Sequence, residues 1–342
     1  MGFYRLNDPI ALGQPYNLSV SQPDSSASVS PADDLAISTR NLRKEYRTRS
    51  GRFVAVDDLT LDVPRGQIFG FLGPNGAGKT TTINMLLGNI AASGGYGNLL
   101  GAPLGNLAAR RRLGFLPEKF QFHEFLTAEE FLDLHGRLYG MSRQARRRAA
   151  DDALDRVGLA DRRSSRIREF SKGMQQRVGL AQAIMNKPSL VVLDEPTSAL
   201  DPLGRRDVRN LLASLKAEGV TIFLNSHLLS EIEMTCDRVA IVKSGRVIRQ
   251  GSIDELLSAK SIVELRVRGL TDPIRRELQA LATAPIAVEG ESIAVTVAGD
   301  DVIADLATAV VRGGARLLAL IPSRESLEDL FIRTVEDETA PE

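Results

Sequence analysis

Four short segments occur in a fixed order along the chain, and the first of them constrains the fold most. It is Gly73-Pro74-Asn75-Gly76-Ala77-Gly78-Lys79-Thr80, set between the apolar run Gln67 to Leu72 and a helical stretch from Lys79 to Gly88. A glycine loop in that setting needs a buried strand feeding a helix, the geometry of a P-loop. Gly73, Gly76 and Gly78 leave no side chain between backbone and ligand, so several N–H groups can converge on phosphate oxygens. The helix that follows points its positive end at the same place. Lys79 adds a full charge toward the β- and γ-phosphates, Thr80 offers a hydroxyl to Mg²⁺, and Thr81 reaches toward the α-phosphate.

The other three segments are Phe170-Ser171-Lys172-Gly173-Met174-Gln175-Gln176-Arg177, Leu190-Val191-Val192-Leu193-Asp194-Glu195-Pro196 and Asn225-Ser226-His227. Asp194 ends an apolar strand, where a carboxylate emerges at the carboxyl edge of a sheet beside the P-loop, a position suited to holding Mg²⁺. Glu195 leaves on the other side of the chain, poised to orient or deprotonate an attacking water. Ser171 opens a predicted helix whose positive end suits an anion.

The short runs at 190–193 and 220–224 suit buried parallel strands. Residues 127–185 are mostly helical in pattern, with capping-box spacing at Thr127-Ala128-Glu129-Glu130. The fold class is therefore α/β, a parallel sheet with an inserted helical unit. After about Ser258 the pattern changes to strands with one wet face alternating with helices, in the order β-α-β-β-α-β of a small α+β ferredoxin-like domain. The expected division is a flexible Ser-, Pro- and Asp-rich tail over 1–34, a nucleotide-binding unit over 35–258, and an accessory, regulatory or dimer-stabilising unit over 259–342.

In order and spacing these segments resemble an ATP-binding cassette, the motor subunit of membrane transporters. The resemblance covers roughly residues 36–255. It implies the P-loop NTPase fold with an antiparallel β subdomain and a helical subdomain beside the parallel sheet. It also implies ATP and Mg²⁺ as ligands and two nucleotides held between two copies. On that reading Ser171 and Gly173 reach the γ-phosphate held by the other copy's P-loop, and His227 contacts the γ-phosphate and the water. Asp201, in Ser198-Ala199-Leu200-Asp201, positions its neighbours across the dimer interface. Tyr46 matches the aromatic that stacks on adenine, although the residue alone is equally consistent with core packing. The expected site therefore comprises Glu195, His227, Lys79 and Glu118 for catalysis. Residues 73–81, Tyr46, Ser171, Gly173 and Asp201 would bind nucleotide, and Thr80, Asp194 and Glu118 the metal.

Two departures from the family pattern stand out. Glu118, in Leu116-Pro117-Glu118, replaces the usual Gln that contacts Mg²⁺ and links the ATP site to the membrane subunit. Lys172 and Met174 replace a Gly and a Gln of the Ser-X-Gly segment. Together with Ser326-Leu327-Glu328-Asp329-Leu330-Phe331, these features resemble bacterial type-2 exporter ATPases, which pair with a separate polytopic membrane permease.

Composition narrows the alternatives. Lys and Arg together number 43, as do Asp and Glu, so a dedicated nucleic-acid binder with a basic excess is not expected. The basic runs Arg146-Arg147-Arg148 and Arg162-Arg163 read as solvated helix faces. A single cysteine, Cys236, fits a reducing compartment. No apolar run approaches the roughly 20 residues of a membrane span, and no signal-peptide pattern opens the chain. The expected location is cytoplasmic, peripheral on the membrane through a partner. A soluble cassette acting on ribosomes or DNA is the competing class. It usually carries two cassettes or a long coiled coil, and this chain has one cassette and no sustained heptad repeat.

Overall fold

The computed structural model describes residues 34–48, 51–257, 261–324 and 326–337. The tail expected at 1–34 lies, apart from Asp34, outside the described residues. A six-stranded sheet runs through the centre in the order Arg246–Ser252, Arg238–Lys243, Ile68–Leu72, Thr221–Asn225, Leu190–Asp194 and Leu113–Leu116. Its neighbours pair in parallel except at the edge, where Arg246–Ser252 returns antiparallel on Arg238–Lys243. Ile68–Leu72, Leu190–Asp194 and Thr221–Asn225 are buried at every position, as a sheet covered on both faces requires.

Alternate residues of these strands feed two different cores, because successive side chains point to opposite faces. Ile68, Leu72, Val191, Leu193, Ile222 and Leu224 join the helical side, with Val178 and Leu180 of the helix Lys172–Ile184 and Leu211 and Leu215 of Pro202–Ala217. Phe69, Phe71, Val192 and Phe223 join the other side, with Ile83, Met85 and Leu86 of the helix Lys79–Leu86. That second side is closed by an antiparallel sheet ordered Gly51–Pro64, Leu35–Thr48, Gly94–Leu99 and Ala102–Pro103. Phe69 and Phe223 stack there at 6.1 Å.

The helical unit comprises Ala128–Leu138 and Arg143–Arg156. Its first helix starts on the predicted capping box: Thr127 Oγ1 accepts from the Glu130 N–H at 3.2 Å, and Glu130 Oε2 accepts from the Thr127 N–H at 2.9 Å.

A third sheet is ordered Ala287–Glu289, Ser292–Val297, Ser261–Arg268 and Arg316–Arg324, all pairs antiparallel. With the helices Asp272–Leu281 and Ile303–Arg312 it has the β-α-β-β-α-β order read from the sequence, around its own core of Val263, Leu265, Ile274, Leu278, Leu306 and Val310. The last helix, Leu327–Asp337, does not pack into that core. Leu327 and Leu330 are fully buried in the helical-side core of the central sheet, against the helix Leu229–Thr235.

Candidate active site

The P-loop leaves the central strand Ile68–Leu72 and enters the helix Lys79–Leu86 through Gly78, whose φ of +96° is a left-handed conformation. A side chain at Gly78 would be strained by that conformation and would also collide with the carbonyl oxygen of Ala55 on the antiparallel sheet. The loop therefore lies close against the neighbouring backbone, and within it the Ala77 N–H donates to the Pro74 carbonyl at 3.2 Å. A cleft of about 720 Å³ opens over it. Gly73, Pro74, Asn75, Gly76, Ala77, Gly78, Lys79, Thr80, Thr81, Glu118, Glu195 and His227 all line this cleft, so most of the predicted site converges in one place.

Lys79 crosses the loop and donates to the carbonyls of Gly73 at 2.6 Å and Pro74 at 3.1 Å. Burial pushes its ammonium below the ordinary lysine range, while Glu195, Asp194 and Glu118 pull it back up. Asp194 is buried at the strand end. Burial raises its carboxyl above the usual range, opposed by a hydrogen bond from Asn225 Nδ2 at 2.5 Å and by the Glu118 N–H. Asn225 is its direct neighbour in the parallel register, and the carbonyl of Asn225 also accepts from the Glu195 N–H at 2.9 Å.

Glu195 has a φ of +56°, unusual for a residue with a side chain. Such a conformation costs on the order of 1–3 kcal/mol and persists where the surroundings overdetermine it. Here Asn225 holds its N–H, while Gln176 Nε2 and Ser198 Oγ donate to its carbonyl at 3.3 and 3.1 Å. The consequence is that adjacent carboxylates part company. Asp194 turns to the sheet neighbour and Glu195 to the cleft, where its Oε2 lies 2.7 Å from His227 Nδ1. The side chain of His227 is 66% exposed against 11% for Glu195, so the ring stands at the open side.

Ser171, Gly173 and Asp201 lie elsewhere. They line a second cleft of about 660 Å³, together with Gly158, Arg162, Lys172 and Arg177, and share no residue with the first. Ser171 caps the helix Lys172–Ile184 by accepting from the Met174 N–H at 3.2 Å. Asp201 caps Pro202–Ala217 by accepting from the Gly204 N–H at 2.8 Å. Gly173 sits under Leu200, close to Ala199.

Tyr46 does not line the P-loop cleft, whereas Phe53, its direct partner in the antiparallel register of Leu35–Thr48 and Gly51–Pro64, does. Phe53 and Phe331, not expected at this site, also line the cleft, as do Ser198 and Asn225 from segments already singled out. For Phe53 the signal was present, since directly opposed residues of a hairpin share a face. For Phe331, 252 positions beyond Lys79 in numbering, nothing local could have announced it.

Comparison with known proteins agrees with this geometry. A family described as ABC transporter matches residues 56–198. An uncharacterized ABC transporter ATP-binding protein of Synechocystis is 41% identical over 325 residues, covering 93% of this chain and 90% of that one. The Nod factor export ATP-binding protein I of Cupriavidus pinatubonensis is 37% identical over 257 residues, covering 74% and 78%. Among solved structures, a dimeric ATP-binding cassette in a post-hydrolysis state, bound to ADP and Pi, superposes with a TM-score of 0.59 at 26% identity. That match covers 64% of this chain and 98% of the cassette.

Proposed function

The chain belongs to the ABC transporter family as an ATP-binding, ATP-hydrolysing subunit, and we propose that it is the homodimeric motor of a bacterial exporter whose membrane-spanning permease is a separate chain. The observation that carries the dimer is the separation of the two clefts. Ser171 and Gly173, the residues expected at a γ-phosphate, lie in a cleft that shares nothing with the P-loop. Two copies facing one another would bring each Ser171 cleft over the partner's P-loop and complete two sites. A solved relative is described as dimeric, which supports the same arrangement. Residues 35–258 would form the motor and 259–342 an accessory unit.

Chemistry at each site follows from positioning and charge. The P-loop N–H groups and Lys79 hold the β- and γ-phosphates. Glu195 takes a proton from water as the water oxygen bonds to the γ-phosphorus and the bond to the β-phosphate oxygen breaks. His227 keeps Glu195 and the γ-phosphate in register. Mg²⁺, when bound, would neutralise the developing phosphate charge. No group of three or more His, Cys, Asp or Glu among the described residues could cage a metal alone. The donors lining the cleft are nonetheless the oxygens Mg²⁺ prefers: the Thr80 hydroxyl, the Glu118 carboxylate and the buried, unpartnered Oδ1 of Asn225; Asp194 does not line the cleft but stands beside Asn225 at the strand end. Mg²⁺ ordinarily binds through one or two carboxylates plus substrate phosphates, and this set fits that habit.

Among the described residues no helix is long and apolar enough to cross a membrane. We place the chain on the cytoplasmic face, seated on its permease through the helical unit. There, a groove of about 700 Å³ runs beside Phe125, Leu126 and Leu134, and Phe125 is 71% exposed. Glu118 would couple that groove to the nucleotide: its side chain lines the P-loop cleft and its N–H bonds Asp194. Glu118→Ala should therefore lower transport more than nucleotide affinity, and unchanged transport with unchanged affinity would refute the coupling role. Export rests on relatives such as the Nod factor protein. The deciding experiment is purification of the tagged chain from detergent-solubilised membranes. A polytopic protein at near-equal stoichiometry supports the motor, while recovery of ribosomes or DNA from the soluble fraction overturns it.

A further inference from the structure

The carboxyl-terminal helix Leu327–Asp337 ends a segment that begins in a separate sheet, yet it forms part of the P-loop cleft. Leu327, Leu330, Phe331 and Thr334 recur at helical spacing on one face. Leu327 and Leu330 are 0% exposed and sit in the central core with Ile232 and Cys236. Phe331, half-buried one position on, lines the P-loop cleft, as do Leu229 and His227. The helix is fastened at both ends to the central unit. Glu233 Oε2 accepts from the Leu327 N–H at 2.9 Å, and Lys243 Nζ donates to the Val335 carbonyl at 2.6 Å.

What it rests on is the segment that carries His227. The helix Leu229–Thr235 follows the histidine directly and has no side-chain cap. On one side it is braced by the ion pair of Arg209 with Glu231 at 2.7 Å, on the other by the carboxyl-terminal helix. The His227 ring has one hydrogen-bond partner at its Nδ1, Glu195, and is otherwise largely open. Its position over the phosphates therefore depends on how firmly the backbone behind it is held.

We propose that Phe331 is a positioning residue for ATP hydrolysis, the tip of a strut formed by Leu327–Asp337 that holds the His227 segment against Glu195. This gives the carboxyl-terminal unit a direct mechanical connection to the reaction. A shift of the sheet Ser261–Arg324 would pull on a helix that lines the cleft and would move His227. The proposal rests on the role assigned to His227, and its test separates the two.

ATP turnover by the full-length chain is measured for Phe331→Ala, Phe331→Leu, Glu233→Ala and His227→Ala, and for Phe331→Ala combined with His227→Ala. Misplacing a catalytic group lowers kcat without a matching change in binding, and Phe331→Ala should reduce kcat about tenfold while KM for ATP moves less than about twofold. Phe331→Leu, which keeps an apolar wall, should restore most of the loss. Glu233→Ala, which releases the start of the helix, should lower kcat in the same direction. Two residues acting through one group are not additive, so Phe331→Ala should add little once His227 is gone. An unchanged kcat in Phe331→Ala, a parallel rise in KM, or an equal loss on top of His227→Ala would overturn the strut. Full turnover in His227→Ala would instead refute the histidine assignment, and this proposal with it.

Discussion

At the scale of single residues, the site sets the buried carboxylates of Asp194 and Glu195 beside the half-buried ammonium of Lys79. Asp194 illustrates the balance. Burial disfavours its charge more than Asn225, Lys79 and the Glu118 N–H favour it, and its carboxyl lies above the ordinary range. A carboxyl whose folded pKa exceeds its unfolded one opposes folding once the pH is above both values. The penalty is relieved as the pH falls through the folded value. Asp194→Asn keeps the shape and removes the charge. It should raise the melting temperature of the nucleotide-free chain at pH 7, with the difference from wild type shrinking toward pH 4. A lower melting temperature at pH 7 would contradict this. The convergence of the P-loop, Glu195 and His227 on one cleft was legible in the sequence because each sits in a short segment whose chemistry is local. Asn225 and Phe53 were not, since their roles come from strand register: Asn225 lies beside Asp194, and Phe53 opposite Tyr46.

Elements carry the next layer, and their ends matter as much as their faces. The reciprocal bonds between Thr127 and Glu130 satisfy two N–H groups at the start of Ala128–Leu138. Thr127→Ala should destabilise the chain by about 1 kcal/mol in chemical denaturation. An unchanged midpoint would mean that neighbouring contacts, rather than the cap, fix this helix. Buried parallel strands were readable because unbroken apolar runs such as Leu190 to Leu193 admit few other placements. Gly94–Leu99 was missed, since Gly94-Gly95-Tyr96-Gly97 has neither alternation nor strand propensity; its pairing with Leu35–Thr48 holds it extended. Leu35–Thr48 and Gly51–Pro64 are long strands of 14 residues each. Left-handed residues at Asn41 and Asp58 let them bend through register shifts without ending. No local signal told which core the apolar face of the final helix, Leu327–Asp337, would join.

At the scale of the whole molecule, two separate clefts lie on one chain, proposed above as two half-sites. The P-loop cleft supplies phosphate contacts, Glu195 and His227, while the Ser171 cleft supplies two helix N-termini capped by Ser171 and Asp201. Neither cleft reproduces the full set of groups expected around a γ-phosphate, and the proposed two-fold pairing of copies would supply both sets at once. The central question is whether ATP joins two copies through these clefts. The measurement is the mass in solution of Glu195→Gln, by light scattering coupled to gel filtration, with and without ATP and Mg²⁺. With hydrolysis blocked, the mass should double on adding ATP and stay single with ADP. Ser171→Glu in the same background, which sets a negative charge against the partner's phosphate, should abolish the doubling while each chain still binds nucleotide. A single-chain mass at saturating ATP, or a dimer indifferent to Ser171→Glu, would contradict it.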